Sequence, residues 1–145
     1  MVIRLAGKGD FSEVLNLLKE LNPDDPSNPN DQKQVFEKIL RLPHLELIVA
    51  EFDGRVAGTC YLNVIPNLTR GAKPYAILEN VVVTREFRGR GIGREMLGWA
   101  LKRAWECGCY KVMLQTGSHR ESTHRFYRNC GFKSDARFAF IARPE

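Results

Sequence analysis

The sequence predicts an α/β fold of the mixed (α+β) kind, built on one central β-sheet. An apolar, β-branched segment, Tyr75–Val83, leads through a glycine-rich turn into an amphipathic helix and a further strand, which is the order of a parallel βαβ unit. Earlier in the chain, two strand-like segments flank Asp53-Gly54, a dipeptide that favours a tight β-hairpin. Parallel and antiparallel strands are therefore expected in the same sheet.

Length and composition are those of a globular domain. The 145 residues, 43% hydrophobic and 27% charged, predict a single domain spanning residues 1–145. The sequence has no apolar run of membrane-spanning length and no signal-peptide pattern, so we expect a cytoplasmic protein without a membrane partner. Its four cysteines lack the spacing of zinc pairs, so reduced thiols and no metal site are expected.

The region before the hairpin predicts one strand and two helices. Val2–Leu5 is the expected first strand, and Asp10 with Glu13 resembles a capping box at the start of the first helix. Asn22–Asn30 is rich in proline, asparagine and aspartate and predicts a loop, after which Asp31 is the expected cap of the second helix. The apolar positions of the two helices are Phe11, Val14, Leu15, Leu17, Leu18 and Leu21, then Val35, Phe36, Ile39 and Leu40.

The middle of the chain supplies the hairpin and the long helix. Leu45–Phe52 and Arg55–Val64 are the hairpin strands, and Pro66–Pro74 is a connection with no clear element. Past the glycine-rich turn, apolar residues repeat at helical spacing from Ile92 to Ala104, and Gly108 is typical of a helix C-terminus.

The final third predicts two strands and a short helix. Lys111–Gln115 is the strand that completes the βαβ unit, and residues 117–122 form a polar loop. Thr123–Asn129 predicts a short helix, and Lys133–Ala142, with alternating Phe138 and Phe140, predicts a closing strand.

The glycine-rich turn has the chemistry of an anion site. Glycines adopt positive φ and let an anion approach the backbone, and the first amides of the following helix lack intrahelical acceptors. Arg88, Arg90 and Arg94 add three positive charges, which suits a ligand with two or more phosphates. A basic glycine-rich loop that binds no ligand is the alternative for such a short pattern.

The spacing of the glycines excludes two common phosphate-binding motifs. A dinucleotide fingerprint starting at Gly89 or Gly91 would need a third glycine where Arg94 or Met96 stands. The Gly-Lys-Ser/Thr ending of a P-loop is missing too. What remains is Arg-x-x-Gly-x-Gly.

The charge of the whole chain agrees with a polyanionic ligand. A net charge of +5 and a pI near 9.2 fit a phosphate-bearing ligand, with nucleic acid as the other explanation for a basic domain. The positive residues are scattered except for one concentration at Arg85–Arg94. We therefore expect a compact phosphate site and no nucleic-acid partner.

The pattern Arg88-x-x-Gly91-x-Gly93 between a strand and a helix resembles the signature of the GNAT N-acetyltransferases. The resemblance implies a mixed sheet of six to seven strands with about four helices, acetyl-CoA as co-substrate, and a turn whose amides bind the CoA pyrophosphate. It implies that the pantetheine lies between two splayed parallel strands. We expect the helix pair near the N-terminus and its loop to shape the site of the acceptor. The implied cofactor-binding residues are Val81, Val82, Val83, Arg88, Gly89, Arg90, Gly91, Ile92, Gly93, Arg94, Ser122 and Tyr127.

Glu79 is the candidate general base. A carboxylate in an apolar strand lies either at a water-filled face or in a desolvated site, where burial would raise its pKa. A solvated glutamate without a chemical role is the alternative. In the family that this chain resembles, a glutamate at this strand position often deprotonates the acceptor amine, directly or through water, which assigns that role to Glu79.

A second motif, Phe126-Tyr127 with Gly131-Phe132, is similar to another GNAT motif. There the tyrosine hydroxyl lies near the CoA sulfur and can protonate the leaving thiolate, so the resemblance makes Tyr127 the candidate general acid. A core tyrosine is the alternative. The expected mechanism is direct transfer, and it needs no metal because the thioester is already activated.

Within the family, three segments are most similar to glucosamine-6-phosphate N-acetyltransferases: 79–83, 108–112 and the second motif. One departure is Glu79-Asn80, where that group usually has Glu-Asp. Thr116–Phe138 also resembles aminoalkylphosphonate acetyltransferases. The expected partner is thus a small-molecule primary amine, such as an amino-sugar phosphate, and a homodimer is expected from the relatives. The alternatives are an aminoalkylphosphonate, a peptide or protein amine, or a CoA-binding module without turnover.

Overall fold

The computed structural model describes residues 1–135 and 139–144, which form two compact units, Met1–Leu114 and Gln115–Glu145. The first unit contains five strands, four α-helical segments and two short 3-10 turns, and the described residues of the second contain one helix. The strands are β1 (Val2–Leu5), β2 (Leu45–Phe52), β3 (Arg55–Ile65), β4 (Tyr75–Val83) and β5 (Val112–Leu114). The helices are α1 (Phe11–Leu21), α2 (Pro29–Ile39), the single turn α3 (Thr69–Ala72), α4 (Ile92–Glu106) and α5 (Glu121–Asn129).

The sheet of the first unit is mixed, as predicted. Its strands lie in the order β1-β2-β3-β4-β5, with antiparallel pairs up to β4 and a parallel pair between β4 and β5. The described residues contain five strands, against six to seven expected. Residues 133–135 and 139–142 of the expected closing strand are not in a strand, and the rest of it, with Phe138, lies outside the described residues.

Helices cover the two faces of this sheet. The residues of α1 and α2 form one buried cluster with side chains of β2, β3 and β4; its members are Val14, Leu17, Phe36, Ile39, Leu47, Val49, Val56 and Val82. Gly58 of β3 faces α4, because a Cβ at this position would lie 3.6 Å from the Met96 sulfur. Successive strand residues point to opposite faces. The α1/α2 face and the α4 face are therefore distinct.

The hairpin turn has the geometry that its sequence predicts. Asp53 has φ 55° and Gly54 has φ 74°, so both central residues adopt the positive φ that a two-residue hairpin turn requires. The long helix α4 ends at Glu106, and Cys107 is its C-cap. Gly108 follows with φ 78°. A glycine there is favoured since it accepts the left-handed conformation at little cost.

The helix caps differ in part from those predicted. The side chain of Asp10 does not cap α1; it accepts the Gly7 N–H at 2.7 Å and pairs with Arg4. The α2 cap is Asn28, whose side chain accepts the Asp31 N–H, with a proline at the first helical position. Asp10 is thus the N-cap residue of α1, as predicted, but its carboxylate makes no capping hydrogen bond because Arg4 and Gly7 bind it. The prediction of Asp31 is wrong, because α2 begins at Pro29, before that residue.

The ion pair of Asp10 connects β1 to the segment before α1. Two Arg4 nitrogens donate to the two Asp10 carboxylate oxygens at 2.7 and 2.9 Å, and Arg4 also reaches Glu51 at 3.3 Å. Hydrogen bonds from Arg4, and further from the Gly7 N–H, lower the pKa of Asp10 despite the partial burial of the carboxylate. The carboxylate is thus held in its charged form.

The Asp10→Asn substitution is expected to lower the free energy of unfolding at pH 7 by about 2 kcal/mol, the usual loss for a hydrogen-bonded charged group. Because the folded pKa lies below the unfolded value, this stabilisation is present above about pH 4 and is lost as the pH falls through the folded pKa. Urea unfolding of both proteins between pH 7 and pH 3 measures it, with the exposed Asp25→Asn as control. A difference that does not change with pH would contradict the assignment.

One segment that the sequence left without an element contains an unusual backbone. In α3 and its border, Arg70, Gly71 and Ala72 have φ values of 58°, 69° and 60°. Two of these residues carry a side chain, so the left-handed conformation is strained there.

In the described part of the chain, no helix has the length and apolar character needed to cross a membrane.

Candidate active site

A β-bulge interrupts β4 next to the candidate base. Thr59 pairs with Val82 and Tyr61 pairs with Glu79, so Cys60 stands opposite two residues, Asn80 and Val81. Asn80 has φ 53°, a conformation that asparagine tolerates better than most side chains. Bulges of this kind bend a strand and redirect its side chains, and they are frequent beside active sites.

Glu79 lies on the α1/α2 face of the sheet. It is the register partner of Tyr61, and directly opposite residues point to the same face. Tyr61 packs against the α1/α2 cluster, which fixes the face. Glu79 is exposed, and among the described residues its carboxylate makes no hydrogen bond or ion pair. Of the two environments that the sequence allowed, the structure has the water-facing one.

Tyr61 was not predicted as part of the site. Burial raises the pKa of its phenol, and a hydrogen bond with the Asn80 side chain lowers it in part. Its hydroxyl is therefore held next to the bulge. Tyr61 belongs to β3, whose sequence indicates only a hairpin strand. Its position next to Glu79 depends on the register between β3 and β4, which the sequence does not show.

The glycine-rich turn presents free backbone amides. Gly89 and Gly91 have φ values of 78° and 82°, and a Cβ on either would meet no atom within 4 Å. The first amide of α4 with a backbone acceptor is that of Glu95, which donates to the Gly91 carbonyl at 3.1 Å. Amides 89–94 have no acceptor among the described residues. Together with the helix dipole, they form a cradle with the chemistry that an anion needs.

Three arginines surround this cradle in different ways. Arg88 donates from Nε to the Val83 carbonyl at 2.9 Å, and the Arg90 guanidinium lies 5.7 Å from the Phe52 ring centroid and 5.5 Å from that of Phe87. Arg94 is exposed. Within the described residues none of the three forms an ion pair, so their charges are available to a ligand. The amides and the arginines fit a pyrophosphate.

Glu20, at the end of α1, is bound to the segment that leads into the cradle. Its two carboxylate oxygens accept the Thr84 hydroxyl at 2.7 Å and the Arg85 N–H at 3.0 Å. Partial burial would raise the pKa of Glu20, but these hydrogen bonds and the charges of Arg88 and Arg85 lower it below its ordinary value. The contact spans more than sixty positions of sequence and could not have been predicted from a local pattern.

The remaining candidate residues lie in the second unit. Ser122 is in the first turn of α5, not in the loop where the sequence placed it. Tyr127 is half-buried, and its ring centroid lies 5.1 Å from that of Phe126 and 6.3 Å from that of Phe132. The second motif thus forms an aromatic cluster at the end of α5.

A cleft of about 650 Å³ is found at the other end of β4, away from the cradle. Its lining is mostly apolar and includes Pro66, Leu68, Ala72 and Pro74. Neither Glu79 nor the residues of the cradle contribute to it. In the described residues no group of three or more His, Cys, Asp or Glu side chains could hold a metal ion.

Fold and site together define an α/β protein with an anion cradle at the end of a bulged strand that carries an exposed carboxylate. The chain belongs to the acetyltransferase (GNAT) family, whose sequence pattern matches residues 11–132. It is an acetyl-CoA-dependent N-acetyltransferase by this membership, and acetyl-CoA is the co-substrate.

Relatives of known activity differ in the amine that they acetylate. A glucosamine 6-phosphate N-acetyltransferase of Trypanosoma brucei brucei is 27% identical over 136 residues, 93% of this chain and 90% of the relative. An aminoglycoside N(6')-acetyltransferase of Salmonella enteritidis is 24% identical over 99% of both chains. An aminoalkylphosphonate N-acetyltransferase of Salmonella typhimurium is 31% identical over 91 residues, 63% of this chain and 58% of the relative.

Solved structures of the same fold cover the whole chain. A protein from Agrobacterium tumefaciens, provisionally described as an acetyltransferase, has a TM-score of 0.94 at 41% identity over 99% of this chain and 100% of that one. A transcriptional regulator from Bacillus halodurans has a TM-score of 0.87 at 28% identity over 98% and 99%. An aminoglycoside N-acetyltransferase in complex with CoA has a TM-score of 0.82 at 23% identity over 98% and 93%, which shows the fold alone.

Proposed function

We propose that this protein transfers the acetyl group of acetyl-CoA directly to the primary amine of a small molecule, with an amino-sugar phosphate as the first candidate. One observation carries the proposal: β4 holds an exposed carboxylate on the α1/α2 face and leads straight into the anion cradle. The proposed base and the proposed site for the phosphates of the co-substrate would thus lie on consecutive segments. The relatives named above act on amines of small molecules.

The co-substrate site that we propose contains the cradle and the end of β4. The amides and side chains of Arg88, Gly89, Arg90, Gly91, Ile92, Gly93 and Arg94 would hold the pyrophosphate, and Val81, Val82, Val83 and Ser122 would contact the rest of CoA. The free amides at positive-φ glycines and the unpaired arginines support this role. When bound, acetyl-CoA supplies an acetyl group already activated as a thioester.

Two side chains take part in the proton transfers. Glu79, directly or through a water molecule, takes a proton from the acceptor ammonium so that the neutral amine can form the new C–N bond. Tyr127 gives its phenolic proton to the sulfur that leaves as the C–S bond breaks, and the second proton that the nitrogen loses as the amide forms restores the phenol, directly or through water. General acid–base steps of this kind contribute about 10²-fold to 10⁴-fold each, and alignment of the two reactants supplies much of the rest.

The segment held by Glu20 gives a prediction about co-substrate binding. The Glu20→Ala variant loses the hydrogen bonds to Thr84 and Arg85, so the approach to the cradle loses its anchor on α1. We expect acetyl-CoA to bind about 5-fold more weakly, which corresponds to about 1 kcal/mol. Calorimetric titration with acetyl-CoA measures this, and the control is Glu37→Ala, which removes a partly exposed carboxylate of α2 that pairs with Arg41. Equal affinities in all three proteins would contradict the anchoring role.

Location and assembly belong to the same proposal. The four cysteines form no disulfide, and a reducing, acetyl-CoA-containing compartment such as the cytoplasm suits both the thiols and the co-substrate. We propose a homodimer, acting on small molecules and binding neither nucleic acid nor membrane. Size-exclusion chromatography with light scattering tests the assembly.

Mass-spectrometric detection of the products from acetyl-CoA tests the reaction. Glucosamine 6-phosphate, an aminoalkylphosphonate, an aminoglycoside, a polyamine and a lysine peptide are offered separately. An acetylated small molecule with an equal amount of free CoA supports the proposal. Acetylation of the peptide alone would replace it with a protein acetyltransferase. Binding of acetyl-CoA with no transfer to any of these amines would contradict the proposed acceptors.

A further inference from the structure

A cluster of two cations and two aromatic rings lies at the start of β4 and β5. The Lys111 ammonium is 5.3 Å from the Tyr75 ring centroid and 5.4 Å from that of Tyr110. The Arg70 guanidinium is 5.8 Å from the Tyr110 centroid, and the two rings meet edge to face at 6.4 Å. We call these four residues the Tyr75/Lys111 cluster. The rings hold the cations in place without removing their charge.

The positive charge of the cluster has no neutralising partner among the described residues. Neither Arg70 nor Lys111 forms an ion pair or a hydrogen bond with a carboxylate there. Two like charges next to one ring repel each other, and a bound anion would relieve that repulsion. The arrangement therefore favours a negatively charged ligand.

The cluster is on the same face of the sheet as Glu79. Tyr75 and Glu79 are four positions apart in β4, so the alternation of strand side chains places them on one face, and no bulge lies between them. Tyr75 is next to Ala76, which pairs with Val112 of the parallel strand, and this brings Lys111 beside Tyr75. Along the strand the two sites are about 13 Å apart, a distance that the side chains of Lys111 and Glu79 can shorten.

The backbone that presents Arg70 is strained. Arg70 and Ala72 both have side chains and both adopt positive φ, with Gly71 between them. Strain of this kind persists where the surrounding structure holds it and is concentrated at binding and catalytic sites. Asn67 supplies part of that support, since its amide donates to the Thr69 and Lys73 carbonyls at 3.0 and 3.2 Å.

We propose that the Tyr75/Lys111 cluster binds the anionic group of the acceptor, so that the substrate is an amine carrying a phosphate, phosphonate or other anion at its far end. The inference rests on the proposed function, because it takes Glu79 as the place where the amine reacts. The inference distinguishes between the acceptors of the relatives. A sugar phosphate or an aminoalkylphosphonate fits the cluster. An aminoglycoside, with several cationic amines, is repelled by it.

Charge-neutral variants test the cluster by kinetics. Glucosamine 6-phosphate and glucosamine are compared as acceptors, since they differ only in the phosphate. The wild-type protein is expected to prefer the phosphorylated sugar. The Lys111→Gln substitution should raise the KM for glucosamine 6-phosphate by about tenfold. The KM for glucosamine and the affinity for acetyl-CoA should stay unchanged. Lys102→Gln, on the exposed surface of α4, is the matched control. A phosphate preference that is absent, or that survives in the Arg70→Gln/Lys111→Gln double variant, would overturn the proposal.

A binding measurement keeps the test independent of turnover. Inorganic phosphate is titrated by NMR into the protein saturated with CoA, which fills the cradle. We expect phosphate to shift the signals of residues around Tyr75 and Tyr110, with about tenfold weaker binding in Lys111→Gln and no change in Lys102→Gln. No phosphate-dependent shift at these residues would overturn the inference. A protein that shows the shift but acetylates no amine retains the anion site and refutes the proposed function.

Discussion

In the Glu79→Gln variant, kcat is expected to fall by about 10²-fold to 10³-fold, the contribution of a well-placed general base. Glutamine keeps the size of the side chain but cannot accept the proton of the acceptor amine. Because Glu79 is exposed and its carboxylate makes no hydrogen bond or ion pair among the described residues, the substitution should leave the fold and the affinity for acetyl-CoA unchanged. Steady-state kinetics with acetyl-CoA and the acceptor amine measure the loss of kcat in the variant.

The control for this variant is Glu37→Gln, which removes the same charge from a partly exposed position of α2, where the carboxylate pairs with Arg41. Its kinetics should equal those of the wild-type protein. Equal kcat values for Glu79→Gln and the wild type would remove Glu79 from the mechanism.

The Gly91→Val substitution is expected to weaken acetyl-CoA binding by about 10²-fold or more. Gly91 is the N-cap of α4 with φ 82°, a conformation that a β-branched residue adopts only with strain. Space is not the problem, since a Cβ there would meet no atom within 4 Å, but the new side chain would stand where the ligand approaches the amides. Losing one or two charge-assisted hydrogen bonds of about 1.5–3 kcal/mol each accounts for the loss.

Gly108→Val is the matched control, because it combines a similar φ of 78° with equally open surroundings at the other end of α4. Both variants should lose stability, measured by thermal unfolding, and only Gly91→Val should lose affinity in calorimetric titration. An unaltered affinity for acetyl-CoA in a folded Gly91→Val protein would contradict the assignment of the glycine-rich turn as the pyrophosphate site.

The strands were predictable because their signals are local. The bounds of β1, β2 and β4 agree with the apolar patterns in the sequence, and the Asp53-Gly54 pair carries its own turn geometry. The glycine-rich turn was predictable for the same reason, because glycine adopts positive φ readily and Gly89 and Gly91 both do so. The assignments of Glu79, Tyr127 and the CoA contacts stay predictions that the experiments above address.

The features that the sequence did not reveal depend on distant partners. Asn80 adopts positive φ because of the pairing between β3 and β4, and Asp10 leaves its expected capping role because Arg4 of β1 binds it. Glu20 is bound to a segment that follows more than sixty residues later. In each case a tertiary contact decides between conformations or partners that the local sequence allows.

The ion pairs of Arg4 also bear on aggregation. β1 is at one edge of the five-stranded sheet. Its first and last residues, Val2 and Leu5, are 56% and 45% exposed. An apolar edge strand offers unpaired backbone groups to a strand of another molecule, and a short strand with a fixed charge discourages such pairing. With only four residues and a guanidinium held by Asp10 and Glu51, β1 is a poor template for intermolecular sheet growth.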